Sequence, residues 1–151
     1  EVHPKTSYFE LVSSLASKSA GIATRFNIDE YTITTSQAIQ FFSGVPASKT
    51  ILILNPAEPP IIMHNTLFAE VKNPRLKLLK QKINQVVTKL QRYVPGYQLV
   101  LGPVYENNRL TIMVKIHGCG DYLPVYAGNL DIINCAAIAV AEAYAQKNSH
   151  H

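Results

Sequence analysis

A chain of 151 residues with 47% hydrophobic side chains can bury one core, and a single domain is the default at this length. No run reaches the roughly 20 apolar residues that span a bilayer, no charged-then-apolar leader opens the chain, and two cysteines without metal-type spacing argue against a disulfide scaffold. A soluble, cytosolic domain with reduced thiols is therefore expected. The net charge is +4, and Arg75, Lys77, Lys80, Lys82, Lys89 and Arg92 fall in one acid-free segment. Without aromatic residues between them, these cations read as the solvated face of an amphipathic helix and not as a nucleic-acid surface. The chain opens at Glu1 and ends Ser149-His150-His151, which reads as an excised piece, residues 1–148, carrying appended residues 149–151.

Tyr8 to Ala16 carries Phe9, Leu11 and Val12 without Gly or Pro and is predicted as a first strand. Ser17-Lys18-Ser19-Ala20-Gly21 is a loop. Asn27, with Glu30 three residues on, resembles a capping box, after which Tyr31, Thr35, Ala38, Ile39 and Phe42 recur at helical spacing as far as Gly44. Ile51 to Leu54 is a buried strand stopped by Asn55-Pro56-Ala57-Glu58-Pro59-Pro60. From Ile61 to Val71, residues Ile61, Met63, Asn65, Leu67, Ala69 and Val71 share one face, and His64, Thr66 and Glu70 share the other. Asn65 is the polar exception on an apolar face, so it needs a hydrogen-bond partner or a cavity.

Asn73-Pro74 is predicted to cap a helix whose apolar stripe runs Leu76, Leu79, Ile83, Val86, Val87, Leu90 and ends before Pro95-Gly96. Tyr97 to Val104 and Leu110 to Ile116 form a hairpin around Glu106-Asn107-Asn108-Arg109. After an irregular segment from Gly118 to Gly128, alanine-rich Leu130 to Ala145 is expected to be a largely buried helix. The order βαββαββα argues an α+β fold, with helices packed on one face of a mostly antiparallel or mixed sheet.

The chemistry is less legible. Cys119, between two glycines, has no local base to activate it, and Cys135 among alanines reads as a small core residue. His64 and His117 fall on separate strands, the carboxylates are scattered, and no metal site is indicated. What stands out are loops at element ends. The small residues of Ser17 to Arg25 would let backbone N–H groups approach an anion, although the Gly-x-Gly-x-x-Gly fingerprint is absent. Tyr126-Ala127-Gly128-Asn129-Leu130 precedes the last helix, with Asn129 at a plausible N-cap.

Four ordered blocks carry a family resemblance: Ser17-Lys18-Ser19-Ala20-Gly21 with Thr24-Arg25 and Asn27-Ile28-Asp29-Glu30; Asn55 to Pro60; Tyr93-Val94-Pro95-Gly96-Tyr97; and Tyr122-Leu123-Pro124 with Tyr126 to Ile132. In these the chain resembles the C-terminal portion of the acylating acetaldehyde dehydrogenases of bacterial aromatic meta-cleavage pathways, from about Tyr8 to Gln146. The resemblance implies a fold like the C-terminal domain of glyceraldehyde-3-phosphate and semialdehyde dehydrogenases. It also implies a parent enzyme that converts acetaldehyde, coenzyme A and NAD to acetyl-CoA and NADH through an acyl-thioester on a cysteine of an N-terminal domain absent here. The implied partners are a second copy of the chain and 4-hydroxy-2-oxovalerate aldolase, which passes the aldehyde through a channel.

Carried over by position, Ser19, Ala20, Gly21, Ile22, Ala23, Thr24, Arg25, Phe26 and Asn27 align with an NAD-contacting loop. Asn129 aligns with a further nicotinamide contact, and Ile28, Leu52 and Leu54 align with channel-lining residues. Ile22 and Ala23 stand where many relatives have Pro and Gly. Asn65 stands where many carry an aspartate that assists the cysteine, and an amide accepts no proton near neutral pH. The fragment alone is expected to be inactive; the alternative is a non-catalytic assembly or regulatory module binding an aldolase or an intact dehydrogenase subunit.

Overall fold

The computed structural model describes residues 6–148; the tail at 149–151 lies outside the described residues. Five strands, β1 (Thr6–Ala16), β2 (Ala47–Asn55), β3 (Met63–Val71), β4 (Tyr97–Glu106) and β5 (Arg109–Ile116), form one sheet in the order β2-β1-β3-β5-β4. β1 and β2 are parallel, which demands a crossover; a 3-10 turn (Ser17–Ser19), α1 (Ile22–Phe26) and α2 (Ile28–Ser43) supply it. The remaining pairings are antiparallel. β4 and β5 are joined by Asn107 and Asn108 at φ 50° and 62°, the left-handed pair that a two-residue hairpin turn requires and that asparagine tolerates. α3 (Leu76–Leu90) and α4 (Gly128–Asn148) complete the α+β order expected from the sequence.

Cross-strand partners share a sheet face, so the register separates the two sides. Ser13 pairs with Leu52 on β2 and with Asn65 on β3, and Asn65 pairs with Val114 on β5. On this side Leu15, Met63 and Ile116, with Ala20 and Val94 from loops, form the main core, packed by Leu52, Leu54, Tyr97 and Val114 and by Ile132 and Cys135 of α4. A second cluster, Ala69, Val71 and Leu110, is packed by Phe9 and Ile112 and by Leu79 of α3. α2 docks on β2 through hydroxyls: the Ser36 hydroxyl donates to Thr50 Oγ1 at 3.0 Å, and that of Ser48 donates to the Ser36 carbonyl at 2.7 Å. All three contacts place helices on one face. The opposite face, with Val12, Ile51, Ile53, Phe68, Leu101 and Met113, contributes no residue to either cluster.

Local details depart from the sequence reading where a neighbouring element takes over. Asn73 adopts φ 52° in the turn leaving β3, and Arg75 occupies the N-cap position of α3, where no side chain caps the helix, so Asn73-Pro74 is not the cap. No capping box forms at Asn27: α1 ends there, and the Asn27 amide donates back to the Ala23 carbonyl at 2.8 Å. On α2, Phe42 and Tyr31 point outward, Phe42 being 85% exposed, because the inward side is taken by the Ser36–Thr50 and Ser48 contacts. α4 is not largely buried. Only its first residues, Ile132 and Cys135 reach the core, while Ile133, Ile138, Val140 and Tyr144 are exposed. Among the described residues, nothing covers this apolar outer side.

Candidate cofactor-facing site

In open sheets the C-terminal ends of parallel strands are where backbone N–H groups and loops converge on ligands. Here β1 and β2 end together, Ala16 opposite Asn55. β5 ends and β3 begins at the same edge, with Met63 opposite Ile116, and α4 starts against it: a Cβ on Gly128 would lie 2.3 Å from the Ile116 carbonyl oxygen. Every loop that the sequence flagged therefore meets at one end of the sheet.

The loop after β1 is held rigidly in its first half. The Ser19 hydroxyl donates to the Ala16 carbonyl at 2.8 Å, and the Ala20 N–H donates to the Ser17 carbonyl at 3.2 Å. Arg25 reaches back from α1, its Nη2 donating to the Ser17 carbonyl and hydroxyl at 2.8 Å each and its Nε to the Ala20 carbonyl at 3.2 Å. Arginine suits this task because its planar fork reaches several acceptors at once. Ser19 and Ala20 are buried, whereas Gly21, Ile22, Ala23 and Phe26 project outward, Phe26 being 86% exposed. No atom lies within 4 Å of a Cβ built on Gly21, so there the backbone is open to an approaching group.

A second loop lies alongside. Lys18 forms an ion pair with Glu58, whose hydrogen bond and charge raise the Lys18 ammonium above its ordinary range. The Asn55 side chain accepts the Ala57 N–H at 2.9 Å, and the Glu58-Pro59 peptide is cis. Between the loops is a cleft of about 190 Å³ lined by Ala16, Ser17, Lys18, Asn55, Glu58 and Pro60 among others.

α4 joins the first loop through Asn129, whose amide donates to the Ser19 carbonyl at 3.2 Å. Since the helix already runs at Gly128, Asn129 is not its N-cap but a tether. Its other atom matters equally. Asn129 Oδ1, Asn65 Oδ1 and Ser13 Oγ are buried without a hydrogen-bond partner among the described residues. Such orphans are few in folded proteins, and each costs about 1–3 kcal/mol unless something fills its valence. Ser13 and Asn65 face each other across the β1–β3 ladder, two positions in from the core residues Leu15 and Met63.

The structure thus brings Ser19 to Asn27, Asn129 and Asn65 to one end of the sheet. Leu52 and Leu54 pack behind them against the core, and Ile28 opens α2, partly exposed. Ser13, which the sequence reading passes over, carries the signal that singled out Asn65: a polar residue sharing a face with Phe9, Leu11 and Leu15. Cys119 is exposed, and burial first, then the Asp131 carboxylate, raises its thiol. His117 lies just past β5, its N–H donating to the Gly96 carbonyl at 3.0 Å, and His64 belongs to the opposite face. Among the described residues no cluster of His, Cys, Asp or Glu is arranged to hold a metal, and no helix is long and apolar enough to cross a membrane.

Residues 1–124 match the family described as prokaryotic acetaldehyde dehydrogenase, dimerisation. The chain belongs to that family. It is 58% identical over 139 residues to an acetaldehyde dehydrogenase of Spirochaeta aurantia, covering 92% of this chain and 47% of that protein. It is 55% identical over 141 residues to one of Pectobacterium atrosepticum, covering 93% and 48%, and 46% identical over 140 residues to one of Carboxydothermus hydrogenoformans, covering 93% and 47%. The dimerisation domain accordingly spans about half the length of the curated relatives it matches.

Proposed function

We propose that this domain is the C-terminal part of an acylating acetaldehyde dehydrogenase that turns acetaldehyde, coenzyme A and NAD into acetyl-CoA and NADH. The observation that carries the reading is that Asn129 Oδ1, Asn65 Oδ1 and Ser13 Oγ are buried without a hydrogen-bond partner among the described residues, with Asn129 bonded to the Ser19 carbonyl and Ser13 paired with Asn65. A nicotinamide carboxamide carries the N–H donors that such acceptors lack, and the open space at Gly21 would admit a flat ring. When bound, NAD would supply the hydride acceptor. Arg25 and Asn129 hold the loop; with the cofactor bound, Asn129 would orient the ring amide and Asn65 would set the polarity beside the reacting centre. As an amide, Asn65 orients a thiol or aldehyde but removes no proton at neutral pH.

The thioester-forming cysteine belongs to the other half of the parent. Cys119 is unsuited, since desolvation and then the Asp131 carboxylate raise its thiol and disfavour the thiolate that a nucleophile needs. The domain would dimerise with a second copy, and 4-hydroxy-2-oxovalerate aldolase would deliver aldehyde past Ile28, Leu52 and Leu54. The exposed Phe26, Phe41, Phe42, Ile138 and Val140 favour a covered state, by the catalytic half or, in the alternative reading, by the aldolase or an intact subunit bound to a non-catalytic module.

The test is NAD-dependent acetyl-CoA formation, assayed with this chain alone and with a separately produced N-terminal half bearing the cysteine. Activity only in the mixture supports the proposal. Silence in a mixture shown to be folded and associated overturns it in favour of the module, and activity of the chain alone would return Cys119 to the mechanism.

A further inference from the structure

Two cysteines lie outside the site just described, and the loop between β5 and α4 brings the backbone of Cys119 to the helix that carries Cys135. Ile116, the last residue of β5, abuts Gly128, the first of α4: a Cβ on Gly128 would meet Ile116 Cγ2 at 2.9 Å. Two residues on, a Cβ on Gly118 would meet Asp131 Oδ2 at 2.7 Å, and the Cys119 N–H donates to that same oxygen at 2.6 Å. These contacts advance in step, so the segment leaving β5 runs along α4 in the same direction as the helix. The hydrogen bond holds the Cys119 backbone at the Asp131 carboxylate, about one turn into α4. A helix rises about 1.5 Å per residue, so Cys135 lies about 6 Å, one turn, further along α4 than Asp131. Cys135 is four residues after Asp131 and thus on the same helix face, beside the carboxylate that holds Cys119. Both thiols are free, one exposed and one half-buried.

We propose that Cys119 and Cys135 are a redox pair that closes to an intramolecular disulfide when the chain meets a small-molecule disulfide oxidant. The Cys119 thiolate attacks one sulfur of the oxidant, whose S–S bond breaks and releases one thiol. The Cys135 thiolate then attacks the Cys119 sulfur of the mixed disulfide and expels the second thiol. Two protein thiols are oxidised, one oxidant disulfide is reduced, and the two protons pass to the released thiolates. The cross-link staples the 116–119 segment to the first two turns of α4, the turns that carry Asn129. A raised Cys119 thiol makes the first attack slow at neutral pH and faster as pH rises. This inference does not depend on the cofactor reading.

The experiment treats the chain with oxidised glutathione and follows free thiols and intact mass under non-reducing conditions. The expected result is loss of both thiols, a monomer lighter by two hydrogens, and a proteolytic fragment joining 119 to 135. Closure should be at least roughly tenfold faster in the folded chain than in urea, because the fold sets the geometry. Cys119→Ser and Cys135→Ser should each stop at one bound glutathione. A folded wild-type chain that accumulates two glutathiones, forms only disulfide-linked dimers, or closes no faster than in urea would overturn the proposal, whether or not either variant folds.

Discussion

The Asn129 amide donates to the Ser19 carbonyl at 3.2 Å across 110 positions of sequence, tying the first turn of α4 to the loop that follows β1. Asn129→Ala removes this bond together with an orphaned oxygen. The losses oppose each other, so global stability should fall by no more than about 1 kcal/mol, while amide exchange at 18–21 accelerates several-fold. Asn129→Asp keeps the shape but sets an acceptor against the Ser19 carbonyl, and should cost more than the alanine. Urea denaturation with hydrogen exchange separates the two outcomes.

Gly96 and Gly21 should respond oppositely to alanine. A Cβ on Gly96 would stand 1.8 Å from the His117 carbonyl oxygen, which is backbone and cannot turn away, whereas Gly21 has open space. Gly96→Ala should lower stability by several kcal/mol, on the order of the largest single-site effects. Gly21→Ala should leave stability within about 0.5 kcal/mol and, on the proposed function, weaken NAD binding in the reconstituted parent. Thermal unfolding and NAD titration check the pair.

Ser13 is 1% exposed with an unpaired hydroxyl. Ser13→Ala should be neutral or stabilising by up to about 1 kcal/mol, since it removes a desolvated group without breaking a bond. A destabilisation above that would mean that the hydroxyl is satisfied in solution. In the reconstituted parent, Asn65→Asp restores a proton acceptor on the same ladder and should raise turnover, with a new rise in rate through the carboxylate range.

Alkylation of Cys119 should require a pH above that of an ordinary thiol. Burial is the larger cause and the Asp131 carboxylate the next, and both disfavour the thiolate. Asp131→Asn should therefore shift the alkylation midpoint down only in part, while releasing the Cys119 N–H that the carboxylate now accepts. An unchanged or higher midpoint would show that Asp131 does not act on the thiol. Rates of iodoacetamide labelling against pH give the answer.

Strand alternation and helical spacing were enough to order the elements, because each depends on residues a few positions apart: the parity of Met63 to Val71, the stripe of Leu79 and Ile83, the Asn107-Asn108 turn. The same locality misleads wherever a partner is distant. Asn27 and Asn73 carry the composition of helix caps, but their amides and backbones are set by α1 and by the turn after β3. Alanine-rich α4 reads as buried from its apolar composition, yet Ile133, Ile138, Val140 and Tyr144 are exposed, because burial depends on which distant elements reach the helix. By itself the sequence determined the α+β order, the polar intrusion at Asn65 and the loops that carry the family resemblance. Only the tertiary structure decided that Ser13 faces Asn65, that Asn129 tethers Ser19 and that Asp131 holds the Cys119 N–H, since register and long-range packing belong to no local window.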